Sequence, residues 1–189
     1  MAPRAPGGDD RARLERLKEG DPEAFADLYR AHQPGVLNFV YRLSGRNAAL
    51  AEDVAQQVFM NFWNHRSQYD LTKPLAPLLL TMARNAWLNA AKREEYRKTS
   101  PLQEDLAPSG PARRSDRLDP RLEQKELEDA LERALAALEP GMREAFLLSR
   151  YQGLKYAEIA QVLGVSVNTV EARLSRALEH LQEKLKDFL

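Results

Sequence analysis

The sequence predicts an all-α fold, with two small helical domains joined by a flexible linker. Apolar residues recur at helical spacing through most of the 189 residues, and no strand-like alternation of useful length appears. Between Thr99 and Pro120 the chain has four prolines and few large apolar groups, a composition that cannot repay the entropy of ordering. We therefore expect a mostly disordered N-terminus at 1–20, a first domain at 21–98, a linker at 99–121 and a second domain at 122–189.

The first domain begins with a strong helix-start signal. Residues 10–19 form a short, charged amphipathic segment that ends at Gly20. Asp21 then stands at a predicted N-cap, with Pro22 at the first helical position. The spacing i, i+3, i+4 predicts one buried stripe in this first helix, formed by Phe25, Leu28 and Tyr29.

Three further helices are predicted before the linker. Apolar residues between positions 36 and 43 indicate a second helix that stops near Ser44–Gly45. A third helix, from about Asn47 to Arg66, has one apolar face made of Leu50, Val54, Val58 and Phe62. After the turn-like segment Tyr69–Pro74, a fourth helix runs from about Leu75 to Lys98.

The second domain contains a helix-turn-helix pattern, YAEIAQVLGVSVNTVEARLS, at residues 156–175. Ala160 is small where two helices would cross, Gly164 suits a left-handed turn, and Ser166 is a natural N-cap. Ile159, Val162, Leu163 and Val165 would receive the buried face of the second helix. That face is predicted to comprise Val167, Val170, Leu174, Leu178, Leu181 and Leu185.

The start of that second helix is the predicted DNA-reading end. Its outward positions are Asn168, Glu171, Ala172 and Ser175, and in this motif the N-terminal end enters the major groove. Arg173 and Arg176 flank it at positions from which they would reach phosphates. The alternative is an ordinary helical hairpin. DNA reading is favoured because the small residue, the turn glycine, the cap and the apolar positions all agree.

Composition limits the function classes. Lys and Arg together number 28, as do Asp and Glu, so no global positive field drives autonomous DNA binding. The chain lacks cysteine, and its three histidines, His32, His65 and His180, have no metal-ligand spacing. We expect no metal, no cofactor and no enzymatic activity, and we expect His65 and His180 to be surface residues. No secretion signal or membrane span is predicted, which favours a cytoplasmic protein.

Two further segments resemble a known family. AEDVAQQVFMNFW at 51–63 and LTMARNAWLNAAKR at 80–93 resemble regions 2.2 and 2.3–2.4 of bacterial RNA polymerase sigma factors of the sigma-70 family. The helix-turn-helix and its lead-in, ALAALEPGMREAFLLSRYQGL, resemble region 4. Their order and the intervening linker are similar to the extracytoplasmic-function (ECF, group IV) type. The resemblance implies promoter-specific transcription initiation together with core polymerase, which would be bound at the coiled coil of its largest subunit and at its flap. It also implies promoter DNA and an anti-sigma factor as partners.

The resemblance also implies site residues. A mixed stripe on the third helix matches the positions that dock on a coiled coil of the polymerase's largest subunit: Asp53, Gln56, Gln57 and Met60. From the residues alone, such a stripe is more simply a solvated face. The fourth helix matches the surface that reads the −10 element, helped by the Gln68–Pro74 loop, through Arg84, Asn85, Asn89, Lys92, Arg93, Tyr96 and Arg97. Cations interleaved with aromatic rings suit single-stranded DNA. Trp87 is equally compatible with a core position.

The −35 element is assigned to the helix-turn-helix in the same way. The residues implied are Ser166, Asn168, Thr169, Glu171, Ala172, Arg173, Ser175 and Arg176. The family commonly has Lys or Arg where this chain has Glu171. That acid either favours the helix dipole or accepts a hydrogen bond from a cytosine amino group.

Other positions also depart from the family pattern. Leu78–Leu79 replaces a Trp-Leu pair, Asn89 replaces an aspartate and Lys92 replaces an arginine, so we expect an unusual −10 preference. Gln57 replaces a frequent glutamate, so one charge contact to polymerase is expected to be missing.

Two other functional classes stay open at this point. One is a stand-alone helix-turn-helix regulator that binds palindromic DNA as a dimer without polymerase. The other is a helical adaptor that binds only protein, which would fit the zero net charge. A stable complex with core polymerase and a promoter-specific transcript would distinguish the sigma factor from both.

Overall fold

The computed structural model describes residues 10–70, 72–99 and 120–188, and it describes their side chains except at 95, 97–99, 120–125 and 187. Within these ranges the regular structure is helical throughout, which confirms the all-α prediction. The helices are α1 (Asp10–Lys18), α2 (Pro22–Leu43), α3 (Ala48–Asn64), α4 (Leu75–Thr99), α5 (Pro120–Ala136), α6 (Pro140–Arg150), α7 (Tyr156–Leu163) and α8 (Val167–Leu185). No helix among the described residues is long and apolar enough to cross a membrane.

The N-terminal segment differs from the prediction. Residues 10–18 form α1, so the expectation of a mostly disordered stretch at 1–20 is wrong for this part; residues 1–9 lie outside the described residues. Leu14 and Leu17 are buried, and α1 packs on α2. Asp10 Oδ2 lies 2.9 Å from His32 Nε2, and both side chains are buried. Two leucines and one polar pair therefore anchor a helix that is otherwise strongly charged.

The first two predicted helices are in fact one, α2. Asp21 caps it and accepts hydrogen bonds from the N–H groups of Glu23 at 2.8 Å and Ala24 at 3.3 Å. The helix continues through Pro34, which lies on the exposed side. The helix continues because its buried positions form one unbroken helical series: Ala24, Leu28, His32, Val36, Phe39, Val40 and Leu43. This continuity is not visible as an apolar pattern, because the buried residue between Leu28 and Val36 is a histidine, His32.

Helices α3 and α4 complete the first domain. Asn47 caps α3 through a 3.0 Å hydrogen bond from the Leu50 N–H to its side-chain oxygen. The predicted apolar face of α3 is confirmed, since Val54, Val58 and Phe62 are buried and Leu50 is partly buried. Helix α4 contacts both α2 and α3. The three helices leave one face of α3 and much of α4 open to solvent.

The two domains are in direct contact, which the sequence analysis did not predict. Helix α2 contacts α6, α4 contacts α7, and one cluster of buried side chains includes residues of both domains. The predicted linker lies outside the described residues, apart from its ends in α4 and α5. Helical periodicity describes one helix at a time, so it cannot reveal a contact between residues as distant in the sequence as Arg42 and Glu132.

Candidate nucleic-acid interface

The helix-turn-helix is held by the features that the sequence predicts. Gly164 ends α7 in the left-handed conformation, with φ 67° and ψ 37°. The Val165 N–H donates to the Ala160 carbonyl at 3.1 Å, which closes the turn. Ser166 then caps α8, accepting a 3.1 Å hydrogen bond from the Thr169 N–H. The turn and the cap therefore fix where α8 begins.

Helix α8 has a buried face and an exposed face. Val170, Leu174, Ala177 and Leu181 are buried against the rest of the domain, and Leu178 and Leu185 are partly buried. Val167 differs from its predicted burial: it is 38% exposed, because it is the first residue of the helix and lies ahead of the first buried position. The predicted −35 residues that the structure leaves exposed are Ser166, Asn168, Glu171, Ala172, Ser175 and Arg176.

Two of the predicted −35 residues are partly buried, Thr169 and Arg173. The Arg173 guanidinium packs against Gly141 at the start of α6, so closely that an added Cβ on Gly141 would lie 2.8 Å from Arg173 Cζ. Arg173 of α8 therefore packs against α6, and only part of its side chain is exposed to solvent. This contact was not predicted from the sequence. The one residue that could have indicated it is Gly141, whose missing side chain leaves room for Arg173.

Helix α4 presents most of the predicted −10 residues to solvent. Asn85, Asn89, Lys92, Arg93 and Tyr96 are exposed, and Tyr96 is 79% exposed. The Arg97 side chain lies outside the described residues. The row of two amides, two cations and a ring matches the composition of a surface that follows a nucleic-acid backbone and stacks on bases.

Arg84 is the exception among the predicted −10 residues. Its Nε lies 3.1 Å from Glu144 Oε1 of α6, and only 22% of its side chain is exposed. In this structure Arg84 is thus engaged by the second domain instead of facing solvent.

Trp87 is neither fully buried nor fully exposed. Its side chain is partly buried and packs against the core. The same residue also lines an open groove of about 1120 Å³ on the first domain, together with Arg93 and, from the second domain, Arg143.

The predicted polymerase-docking residues lie on the open face of α3. Asp53, Gln56, Gln57 and Met60 are all exposed, and the Met60 side chain is 58% exposed. Gln56 and Met60 line a groove of about 420 Å³ whose other lining residues include Phe25, Tyr29, Phe59 and Trp63. Phe25 and Tyr29 were predicted to belong to a buried stripe, but Phe25 is only partly buried and Tyr29 is 39% exposed.

The aromatic rings that line this groove contact one another. The ring centroids of Phe25 and Trp63 are 5.2 Å apart and those of Tyr29 and Phe59 are 4.7 Å apart, both in edge-to-face geometry. The groove is therefore a formed apolar surface between α2 and α3, and it adjoins the polar stripe of α3.

Before α4, Asp70 and Thr72 are joined by two hydrogen bonds. Asp70 accepts hydrogen bonds from the Thr72 hydroxyl at 2.6 Å and the Thr72 N–H at 2.9 Å. These bonds hold the pKa of Asp70 below its usual value. Burial raises the pKa of Tyr69 next to it. Leu71, in the middle of the predicted −10 loop, lies outside the described residues.

The histidines occupy three different environments. His65 is exposed, as predicted, with its Nδ1 3.0 Å from the Asn61 carbonyl oxygen. His180 differs from the prediction, since it is partly buried on α8. His32 is buried beside Asp10. Among the residues that the structure describes, no group of three or more potential ligands is placed to hold a metal ion.

Comparisons with known proteins identify both domains. The family model for Sigma-70 region 2 matches residues 28–97, and the model for Sigma-70 region 4 matches residues 128–181. The RNA polymerase sigma factor CarQ of Myxococcus xanthus is 35% identical, over 93% of this chain and 97% of its own length. The ferric citrate uptake sigma factor FecI of Escherichia coli K12 is 31% identical, over 82% of this chain and 87% of its own.

Solved structures of similar fold include two complexes. CnrH, bound to the cytosolic domain of CnrY, has a TM-score of 0.68 and 23% identity, over 95% of this chain and 99% of its own. The sigma factor RpoE of Bartonella quintana, bound to the anti-sigma factor NepR, has a TM-score of 0.66 and 26% identity, over 86% of this chain and 96% of its own. The first supports the fold alone. The ECF RNA polymerase sigma factor SigK of Mycobacterium ulcerans is 30% identical, over 95% of this chain and 96% of its own. The family matches and these relatives show that the chain belongs to the sigma-70 family of RNA polymerase sigma factors, in its extracytoplasmic-function (ECF) group.

Proposed function

We propose that three surfaces of this sigma factor divide the work of transcription initiation. The exposed face of α3 binds core RNA polymerase, the exposed face of α4 reads and holds −10 DNA, and the start of α8 reads −35 DNA. The observation that carries the proposal is the exposed N-terminal end of α8, presented on a buried helix-turn-helix scaffold in the same chain as the open faces of α3 and α4.

The α3 surface has the character of a protein-docking site. A methionine 58% exposed at the edge of a formed aromatic groove is costly to leave in water and gains by burial against a partner. The polar residues Gln56 and Gln57 beside it supply hydrogen-bonding groups for the rim of an interface. The docking partner that the family resemblance implies is the coiled coil of the largest polymerase subunit.

The α4 surface suits DNA whose strands are separating. Lys92 and Arg93 follow the phosphates, Tyr96 offers a ring for base stacking, and Asn85 and Asn89 offer paired donors and acceptors to base edges. The α8 surface suits duplex DNA, because a capped helix start presents its side chains to the major groove.

The setting and the partners follow from the same proposal. The protein acts in the bacterial cytoplasm, where polymerase and promoter DNA are, and it acts as an initiation factor without catalysing a reaction itself. An anti-sigma factor is an expected partner, since the sigma factor RpoE, which has a similar fold, is bound to the anti-sigma factor NepR.

The proposal is tested by reconstitution with core polymerase. The purified chain should co-elute with core enzyme and produce a promoter-specific run-off transcript from DNA upstream of its own gene. Met60→Asp should abolish co-elution, because it places a charge at the rim of the apolar groove. Gln182→Ala, at an exposed position of α8, is the matched control and should co-elute normally. Absence of any complex, together with dimeric binding of palindromic DNA, would instead establish a stand-alone regulator.

A further inference from the structure

The two arginines assigned to −35 phosphates occupy different positions around α8. The centre of the buried face of α8 is defined by Val170, Leu174, Ala177 and Leu181. With 3.6 residues per helical turn, Arg173 lies roughly 70° from that centre and Arg176 roughly 130°. Accordingly, Arg176 is exposed, whereas Arg173 is partly buried. Arg173 therefore stands at the edge of the buried face, where a neighbouring helix can hold its side chain.

The neighbouring helix is α6, and it meets Arg173 at Gly141, the second residue of the helix. A Cβ added to Gly141 would lie 2.8 Å from Arg173 Cζ and 3.1 Å from both Nε and Nη1. Nonbonded carbon atoms pack at roughly 3.5–4.0 Å, so no side chain fits at position 141 while the guanidinium stays where it is. The guanidinium thus fills the space that the glycine leaves between α6 and α8.

Packing, and not charge, holds the guanidinium at this point. In the part of the chain that the structure describes, Arg173 makes no ion pair with a carboxylate. The first turn of a helix such as α6 carries a partial positive charge, which disfavours a cation beside it. The favourable contribution therefore comes from the contact of a rigid, planar group and its aliphatic stem with the start of α6.

This contact lies on the same turn of α8 as the side chains that face the DNA. Ala172 and Ser175 are exposed on the outward side of the helix, one and two positions from Arg173. A recognition surface works only if its side chains are held to within about 0.5 Å of the productive geometry by the residues behind them. The contact between Arg173 and Gly141 is placed to supply that support.

We propose that Arg173 is a positioning residue of the −35 surface. Its guanidinium, packed in the space at Gly141, sets how α8 is presented to the major groove, and Arg176 is the arginine of the pair that contacts a phosphate. The inference rests on the proposed −35 role of α8. It changes the assignment of Arg173 from a contact with DNA to a contact within the protein.

Phosphate contacts and positioning contacts have different signatures in DNA binding. A residue that contacts a phosphate supports all sequences about equally, and its loss lowers the salt slope of binding by about one. Loss of a positioning residue lowers the preference for the correct −35 element and leaves the salt slope unchanged. Holoenzyme reconstituted from core polymerase and the full chain is therefore titrated at several salt concentrations. The DNAs are a promoter that the parent holoenzyme transcribes and the same DNA with its −35 element replaced.

Three alanine variants separate the two roles. Arg173→Ala should lower the preference for the correct −35 element at least about fivefold, the lower limit for one lost base contact, with an unchanged salt slope. Arg176→Ala should lower the salt slope by about one and keep the preference. Lys184→Ala, at an exposed position near the far end of α8, is the control for loss of a positive charge and should change neither quantity.

Gly141→Ala tests the contact from its other side, because it keeps Arg173 and displaces the guanidinium. It should lower the −35 preference as Arg173→Ala does, whereas an arginine that contacts phosphate would be freed for DNA by the same change. In the Arg173→Ala chain the space is empty, so adding Gly141→Ala should lower neither the preference nor the urea midpoint further. Such non-additivity is expected of two residues that share one contact.

Circular dichroism of each variant shows whether its helices are intact. Gly141→Ala removes no side chain and places a better helix former in α6, so it keeps the test decisive if Arg173→Ala unfolds. A salt slope lowered by about one in Arg173→Ala, a parent-like −35 preference in Gly141→Ala, or additive effects of the two changes would each overturn the inference. If the parent holoenzyme still prefers its own −35 element, only the positioning role fails. A parent holoenzyme without that preference would refute the proposed −35 function itself, and this inference with it.

Discussion

Replacing Gly164 with alanine tests whether the turn between α7 and α8 depends on backbone conformation alone. Gly164 has φ 67° and ψ 37°, in the left-handed region that residues with a Cβ rarely adopt. No atom lies within 4 Å of the place where a Cβ would be. Any loss of stability in Gly164→Ala must therefore come from backbone strain, without a steric clash.

The magnitude follows from two opposing terms. The left-handed conformation costs a residue with a Cβ roughly 1–2 kcal/mol. The smaller conformational freedom of alanine in the unfolded chain offsets about 0.4–1 kcal/mol of that cost. We therefore expect Gly164→Ala to reduce the free energy of unfolding by about 1 kcal/mol. Gly164→Asn should cost less, because asparagine tolerates this conformation better than alanine.

Urea denaturation followed by circular dichroism provides the measurement. Gly153→Ala is the matched control, because Gly153 has φ 66° and equally open surroundings but lies before α7, outside the helix-turn-helix turn. The two alanine variants should lose similar stability. Equal losses for Gly164→Ala and Gly164→Asn, or a loss above about 3 kcal/mol for alanine, would refute the strain argument and indicate a contact that the structure lacks.

Three further predictions concern other parts of the chain. Leu17→Ala should lower the free energy of unfolding by about 2–5 kcal/mol in urea denaturation, because Leu17 is fully buried; a loss below 1 kcal/mol would show that α1 is not part of the core. Glu171→Lys should change the ranking of −35 sequences in run-off transcription, and equal strengthening of every promoter would exclude base reading. Asp21→Asn should reduce acid sensitivity in pH-dependent denaturation. The hydrogen bond from Arg16 lowers the pKa of Asp21 below 3.8 in the folded protein. The stability that the Asp21 charge contributes is therefore present above pH 3.8 and is lost as the pH falls through the pKa of the folded state. Asparagine removes this charge but still caps the helix. An unchanged acid transition would contradict this.

The helix-turn-helix was predictable in detail because each of its requirements is local. Gly164 and Ser166 show in the sequence as a turn residue and a cap, and the buried positions of α8 follow from spacing. The prediction that Val167 is buried was wrong, because helical periodicity assigns a residue to a face of the helix but does not show where a neighbouring helix begins to cover that face. The residue types of the α3 and α4 surfaces were also visible, since exposure there follows from helical spacing.

The parts that were not predictable are those that join distant segments. The pairs Asp10–His32 and Arg84–Glu144 are made by charged residues, which in a sequence indicate solvated positions. Their burial depends on a partner 22 or 60 residues away, which no local pattern specifies. Arg173 was assigned to phosphate for the same reason, although it packs on Gly141.

The buried pair of Asp10 and His32 shows that the first domain packs together from a residue earlier than the start of the matched family region. The matched region 2 begins at residue 28, yet the helix that covers α2 begins eighteen residues earlier. A fragment cut to the matched region would expose the surface that Leu14 and Leu17 cover and would leave His32 facing water. The segment that the family model matches is thus shorter than the segment that packs as one domain. Expression of this domain by itself should start no later than Asp10.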